Sequence, residues 1–319
     1  MIDAGASGFR VLLFADSRSR PAMVLLRAAL RAVREQPGLA LAGAVDTAYT
    51  LPSPLRPARA LGEELAARVF ERGAAAPGPR RLAARPWPRG VPRLRAPDVN
   101  DAAFVRTVEA LRPDGALVLE VGQLFRAPLL AACRNPVNYH DGALPRYRGI
   151  AATGWSVYDG EARSGFAIHR MAPGVDDGPI LLAGDVAVEP RQTAWQVERA
   201  KTRLAARRLG EALDRLVAGD PGRPQEGEPS TYTFARSRAL IEIADPASLT
   251  WDELHRRLRV AELLRLTLAG EIWEVTALRR GGAGPLAFTT ADGVRAAPSR
   301  CIHLPVALYR PLRRFRGGR

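Results

Sequence analysis

The stretch NYHDGALPRYRG, Asn138 to Gly149, decides how this chain is read. An asparagine and a histidine stand two apart at the end of the apolar run PVNYH, and an Asp-Gly pair follows. Residues two apart on a strand project from one face. If PVNYH is a strand, Asn138 and His140 therefore serve the same cleft. Two readings are open at this point. One is a turn that carries a histidine, since Asp-Gly favours turns. The other is an amide–imidazole pair placed for catalysis at a strand end.

The residues upstream favour a strand. FRVLLFA (Phe9–Ala15), LALAGAVD (Leu39–Asp46), DGALVLEVG (114–122) and PVNYH (136–140) read as short buried strands. Helical patterns lie between them: PAMVLLRAALRAVREQ, with Pro21 near its start, ARALGEELAARVFERG, VNDAAFVRTVEALRP and APLLAACR. Asp98 or Asn100 is expected to cap the third of these. PGPRRLAARPWPRGVPRLRAP is expected to be irregular. Alternating strands and helices predict an α/β fold with a doubly wound, mostly parallel sheet. Such sheets bind ligands beyond the carboxyl ends of their strands, which is where Asn138 and His140 fall.

A second loop supplies an acid. MAPGVDDGPILL, Met171 to Leu182, places Asp176 and Asp177 in a turn between the strand patterns SGFAIHRM and GPILLAGDVAVEP. An imidazole moves protons near neutral pH, and a nearby carboxylate orients it and favours its charged form. An amide can donate to an oxygen that becomes negative in a tetrahedral intermediate. Together the two loops supply an amide, an imidazole and an acid, a set that can perform acyl transfer with no metal. No Ser or Cys lies in a nucleophile motif, so direct transfer is the simpler chemistry. His169 alternates on a strand and is read as structural. Arg146 and Arg148 either steer an anionic substrate or belong to a solvated loop.

After a long helical pattern (Thr193–Gly219), DPGRPQEGEPSTYT is the best candidate boundary. It divides the chain into residues 1–220, the catalytic domain, and a small α+β, barrel-like domain, 221–319. In the latter, TWDELHRRLRVAE is a helix with Thr250 as N-cap and Glu253 at the capping-box position. Short strands with Gly turns follow; GGAG (281–284) is read as a hairpin loop.

Composition narrows the function classes. The net charge of +14 comes almost entirely from arginine, Lys201 being the sole lysine. A basic surface attracts polyanions, but an Arg-, Ala-, Gly- and Pro-rich chain carries such a charge without any selected nucleic-acid face. Two cysteines give neither a disulfide framework nor metal-ligand spacing. No apolar run is long enough for a membrane span, and no signal peptide is read. A cytoplasmic protein with no metal and no membrane partner is expected, of undetermined oligomeric state.

NYHDGALPRYRG followed by WSVYDGEARSGFAIHRMAPGVDDGPIL resembles the core of the formyltransferases that use 10-formyltetrahydrofolate. That family carries Asn-x-His, then Leu-Pro and a basic Tyr/Trp-Arg-Gly, and further on a Met-x-x-Gly-x-Asp-x-Gly loop. The resemblance is specific over Leu117 to about Glu189. It implies the formyltransferase fold, 10-formyltetrahydrofolate as cosubstrate, and catalytic roles for Asn138, His140 and Asp176. It also implies that the main chain of Leu119, Glu120, Val121, Gly122 and Gln123, with Asp177, binds the folate. GRPQEGEPSTYTFARSR and LTWDELHRRLRV resemble the linker and first C-terminal helix of the methionyl-tRNA type. Two features depart from the family. Gly142-Ala143 stands where Ser-Leu is usual, and ADSRSRPAM replaces the Gly-Thr-Pro turn after the first strand. The expected acceptor is therefore a small-molecule amine or hydroxylamine, such as an amino sugar nucleotide. Methionyl-tRNA is the alternative, followed by a formate-releasing hydrolase and a non-catalytic RNA-binding protein.

Overall fold

The computed structural model describes residues 8–48 and 87–304. The helix expected over ARALGEELAARVFERG, and residues 77–86 of the Pro/Arg-rich stretch after it, lie outside the described residues. The chain divides into two compact units that it enters more than once. One comprises Met1–Arg148, Gly165–Val186 and Glu198–Ser230; the other comprises Gly149–Ser164, Ala187–Val197 and Thr231–Arg319.

The first unit is built on a seven-stranded sheet in the order β3-β2-β1-β4-β5-β7-β8. Its strands are β1 (Phe9–Ala15), β2 (Leu39–Asp46), β3 (Leu94–Arg95), β4 (Gly115–Leu119), β5 (Pro136–His140), β7 (Arg163–Arg170) and β8 (Ile180–Ala187); the two-residue strand β6 (Arg148–Gly149) stands outside it. Strands β3 to β5 run parallel through β2, β1 and β4, and β7 pairs antiparallel to β5. The α/β, mostly parallel sheet is thus the one the alternation predicts. Strand β3 was not expected in the Pro/Arg-rich stretch. It is only two residues long, and its pairing to Val45 and Asp46 of β2 supplies what local propensity does not.

Helix α1 (Arg20–Glu35) starts where Ser19 accepts a hydrogen bond from the Ala22 amide and Pro21 occupies the first turn. It buries Met23, Leu26, Leu30 and Val33, one apolar stripe at helical spacing, against Val11, Leu13, Leu117 and Val137 of the sheet. Helices α2 (Ala102–Leu111) and α3 (Ala127–Cys133) contribute to a second core with Leu12, Phe14, Val45 and Val118. Side chains alternate across β1, so both faces of the sheet are covered.

The cap of α2 is neither Asp98 nor Asn100. Asp101 accepts from the amides of Ala103 and Phe104. Asp98 closes its own turn on the Asn100 amide, and the Asn100 side chain reaches Leu124 O and the Arg126 amide. Three candidate caps within four residues cannot be ranked from composition, because the winner depends on which partners the others find.

In the second unit, α4 (Ala152–Tyr158), α6 (Phe234–Ile241) and α7 (Trp251–Ala261) accompany a five-stranded sheet. Its order is β10-β11-β12-β14-β13, with β10 (Glu242–Ile243), β11 (Leu264–Leu268), β12 (Glu271–Arg280), β13 (Phe288–Thr289) and β14 (Arg295–Leu304); β9 is Thr231–Tyr232. This is the β-rich C-terminal region expected. Thr250 caps α7 by accepting from the Glu253 amide at 3.2 Å. Only half of the capping box forms, because the Glu253 carboxylate is taken by Tyr158 and Arg257. The long helix α5 (Ala194–Val217) contributes residues to both units.

Candidate active site

Strand β5 is five residues long and ends at His140. Val137 and Tyr139 are buried in the core, and the alternation puts Asn138 and His140 on the opposite face. In the antiparallel pairing with β7, Asn138 sits directly across from His169, and cross-strand partners share a face. Three polar side chains therefore line one patch at the carboxyl end of the parallel sheet.

Asp176 joins them from the loop between β7 and β8. Its Oδ2 lies 3.3 Å from His140 Nδ1, and its Oδ1 lies 3.3 Å from His169 Nε2 and 3.4 Å from Asn138 Nδ2. The carboxylate is partly exposed, while both imidazoles are buried. The three residues expected from sequence, remote in chain order, are brought into contact.

The other ring nitrogens fix the hydrogens. His140 Nε2 is 2.7 Å from the Tyr147 carbonyl, which can only accept, so that nitrogen carries a hydrogen. His140 thus turns Nδ1 toward Asp176. His169 Nδ1 likewise meets the Arg170 carbonyl at 2.9 Å and carries a hydrogen. His169 Nε2 is then able to accept from Asn138 Nδ2 at 3.3 Å. These three carboxylate contacts, at 3.3–3.4 Å, are each longer than a good charge-assisted hydrogen bond.

Two further groups hold the Asp176 loop. Asp176 has a φ of +48°, a left-handed conformation that non-glycine residues rarely adopt. Gln225 Nε2 donates to Asp176 O at 2.7 Å and to Gly178 O at 2.8 Å. Gln225 Oε1 in turn accepts from Arg148, with Nη2 at 2.7 Å. At Gly178 a side chain would run into the Arg170 carbonyl, which explains glycine there. Arg148 is thus a structural arm rather than a free steering charge. Arg146 donates to the Tyr147 hydroxyl at 2.9 Å and lies over that ring.

The segment expected to meet folate follows β4. Leu119 is fully buried, Glu120 has a φ of +56°, and Val121 packs against the second core. Gln123 accepts from the Val99 amide at 3.1 Å and donates to Pro97 O at 3.2 Å. With Asn100, it ties residues 121–126 to residues 97–100. Gly122 has open space where a side chain would stand. Asp177 is exposed, and its carboxylate lies against Gly174.

The first loop, Asp16–Met23, is anchored on a buried acid. Asp46 accepts from the Ser17 amide and hydroxyl at 3.0 and 2.9 Å, from the Ala48 amide at 3.0 Å, and from Arg93 Nε at 2.7 Å. Burial by itself would raise the Asp46 carboxyl, but these hydrogen bonds, Arg93 first, outweigh it and hold the group below its ordinary value. Arg18 pairs with Asp16 on the exposed rim.

Sequence reading missed two members of the site. His169 was taken as structural, because the antiparallel register that sets it opposite Asn138 is not visible in the chain. Gln225 lies in what reads as a linker. Its one signal is a glutamine among Gly, Pro and Glu, too common a pattern to single out. Cys133 is buried, and burial pushes its thiol up to about 12, so it offers no thiolate. Among the described residues no group of three or more His, Cys, Asp or Glu is placed to hold a metal ion. No helix among them is long and apolar enough to cross a membrane.

Amide, imidazole and carboxylate at one strand end of a mostly parallel α/β sheet can serve acid–base and group-transfer chemistry. The comparisons narrow it. The family model described as "Formyl transferase" matches residues 53–213, and the chain belongs to that family. It is 33% identical over 162 residues to a methionyl-tRNA formyltransferase of Trichlorobacter lovleyi, covering 50% of this chain and 51% of that protein. It is 37% identical over 156 residues to a GDP-perosamine N-formyltransferase of Brucella melitensis, covering 49% and 58%. The chain thus spans little more than half the length of these curated relatives. In fold it matches a sugar N-formyltransferase from a Shewanella species, with a TM-score of 0.57 at 14% identity over 93% of this chain and 99% of that one.

Proposed function

We propose that this protein transfers a formyl group from 10-formyltetrahydrofolate to the amine or hydroxylamine of a small-molecule acceptor, with an amino sugar nucleotide as the leading class. The observation that carries the reading is the Asp176 carboxylate within 3.4 Å of Asn138, His140 and His169 at the end of β5. The acceptor nitrogen, unprotonated, attacks the formyl carbon. Asn138 and the protonated His140 stabilise the oxyanion. As the carbon–N10 bond breaks, His140 Nδ1 gives its proton to N10 and takes back the proton leaving the acceptor nitrogen, or a water held by Asp176 carries that proton across. The products are the formamide and tetrahydrofolate. The main chain of residues 119–123, with Asp177, is assigned to the folate.

Methionyl-tRNA as acceptor is the second reading. It is favoured by the relatives of that name and by the linker and helix sequence of the second unit. Against it stands ADSRSRPAM in the first loop. The test is release of tetrahydrofolate with a panel of amines and with charged initiator tRNA. Turnover with a sugar nucleotide, and tRNA binding that is weak and only generically salt-dependent, is the expected result; turnover with the tRNA alone would reverse the order. The division at residues 220/221 is likewise proposed as the limit of the catalytic domain. Limited proteolysis that cuts first within 220–233 would support it.

A further inference from the structure

The chain uses arginine almost everywhere it needs a cation, and its sole lysine is the most buried charged group among the described residues. Lys201, on α5, has no solvent exposure at all. Burying an ammonium costs several kcal/mol unless it is fully hydrogen-bonded and near opposite charge. A leucine or methionine would fill the same space with no such cost. The side chain must therefore hold something that an apolar residue cannot.

Its partners are two backbone carbonyls that flank the end of the catalytic strand. Lys201 Nζ donates to the carbonyl of Asp141 and, at 3.0 Å, to that of Gly165. The ladder between β5 and β7 ends at the pair His140–Ala167. Asp141, which follows β5, and Gly165, within β7, lie just past that last pair. The ammonium thus bridges the two strands where their own backbone pairing stops. The turn lies close on β7 there: a side-chain carbon at Gly165 would stand 2.8 Å from Ala143 Cβ. Burial lowers the Lys201 pKa, and Asp141, Glu198 and Glu120 oppose that shift. A compact ammonium with three donors suits two carbonyls in a closed slot better than a planar guanidinium.

The turn pinned at Asp141 ends at Tyr147, whose carbonyl accepts from His140 Nε2 at 2.7 Å. At its far end the Tyr147 amide donates to Ser230 Oγ at 2.9 Å. We propose that Lys201 is a positioning residue for His140: its ammonium staples the turn after β5 to β7, and so fixes the carbonyl that orients the imidazole. The proposal deepens the formyl-transfer reading and rests on it for its kinetic arm.

The test compares wild type, Lys201→Met and Lys201→Gln, each alone and with His140→Ala. Hydrogen exchange across residues 141–147 needs no activity. It is expected to quicken about tenfold in Lys201→Met, as the turn opens locally. In kinetics, kcat is expected to fall about 10- to 100-fold, as for a misplaced catalytic group, while KM for folate and acceptor stays within about threefold. In the His140→Ala background Lys201→Met should cost less than about twofold, since residues that act through one another are not additive. If Lys201→Met does not fold, Lys201→Gln keeps amide donors without charge and should fold with an intermediate kcat. Unchanged exchange, a wild-type kcat in the folded variant, or a full multiplicative loss on top of His140→Ala would each overturn the proposal. Wild type that transfers no formyl group to any amine would overturn the functional reading instead, and the exchange arm would still judge the staple.

Discussion

Two aspartates of the same sheet unit, Asp46 closing β2 and Asp176 in the loop between β7 and β8, have different surroundings. Asp46, at the end of β2, is saturated: two amides, a hydroxyl and a guanidinium reach it at 2.7–3.0 Å or closer. Asp176 is met at 3.3–3.4 Å by two imidazoles and an amide, with its backbone rather than its carboxylate clamped by Gln225. The first arrangement spends the charge on holding a loop. The second gathers an amide and two imidazoles round a carboxylate at longer distances, and hydrogen bonds of reacting groups commonly tighten only once substrate is bound. The same residue type thus anchors a loop in one place and gathers an amide and two imidazoles in the other.

Breaking the second cluster should have the largest effect. Asn138→Ala and His140→Ala are each expected to lower kcat by about a hundredfold or more, the cost of removing an oxyanion donor; tetrahydrofolate release measures it, and near-wild-type turnover would remove the assignment. Asp176→Asn keeps the shape and loses the charge, with a drop of about 10- to 100-fold expected if it orients the imidazole and a water. His169→Ala tests whether the residue opposite Asn138 belongs to the cluster; about tenfold in kcat with little change in Tm is expected.

Asp46 should behave oppositely. Asp46→Asn is expected to leave kcat within about threefold and to cost about 1–3 kcal/mol of stability at neutral pH. The sign of its pH dependence follows from its lowered pKa. Its stabilisation is present above the ordinary carboxylate value of 3.8 and is lost as pH falls through the still lower folded value. The Tm difference between wild type and Asp46→Asn should therefore shrink below about pH 4. A difference that persists there would mean that Asp46 acts by packing, not charge. The smallest effect is expected in the other unit: Thr250→Ala should cost about 1 kcal/mol, the usual worth of an N-cap, with kcat unchanged.

The order of elements was legible because each strand of the sheet is a short apolar run bounded by turn residues, and because α1 carries its apolar stripe and its Ser-Arg-Pro start in sequence. Asn138 and His140 were legible as a pair because strand alternation is local. Asp176 was found through the resemblance of its loop, and no local rule places it beside His140. His169, Gln225 and Lys201 could not be ranked from sequence. Each acquires its role from a partner 31, 49 or 60 residues away.

The amino-acid sequence by itself determined the alternation of strands and helices, the face shared by Asn138 and His140, and the positions of most helix starts, because these depend on neighbours within a turn or two. Only the tertiary structure decided which residues of β7 stand opposite β5, which acid anchors the first loop and which gathers the amide and imidazoles, and why one lysine survives in a chain of arginines. Those outcomes depend on which donors and acceptors remain unmatched once the sheet has closed, and strand pairing across the fold sets that count.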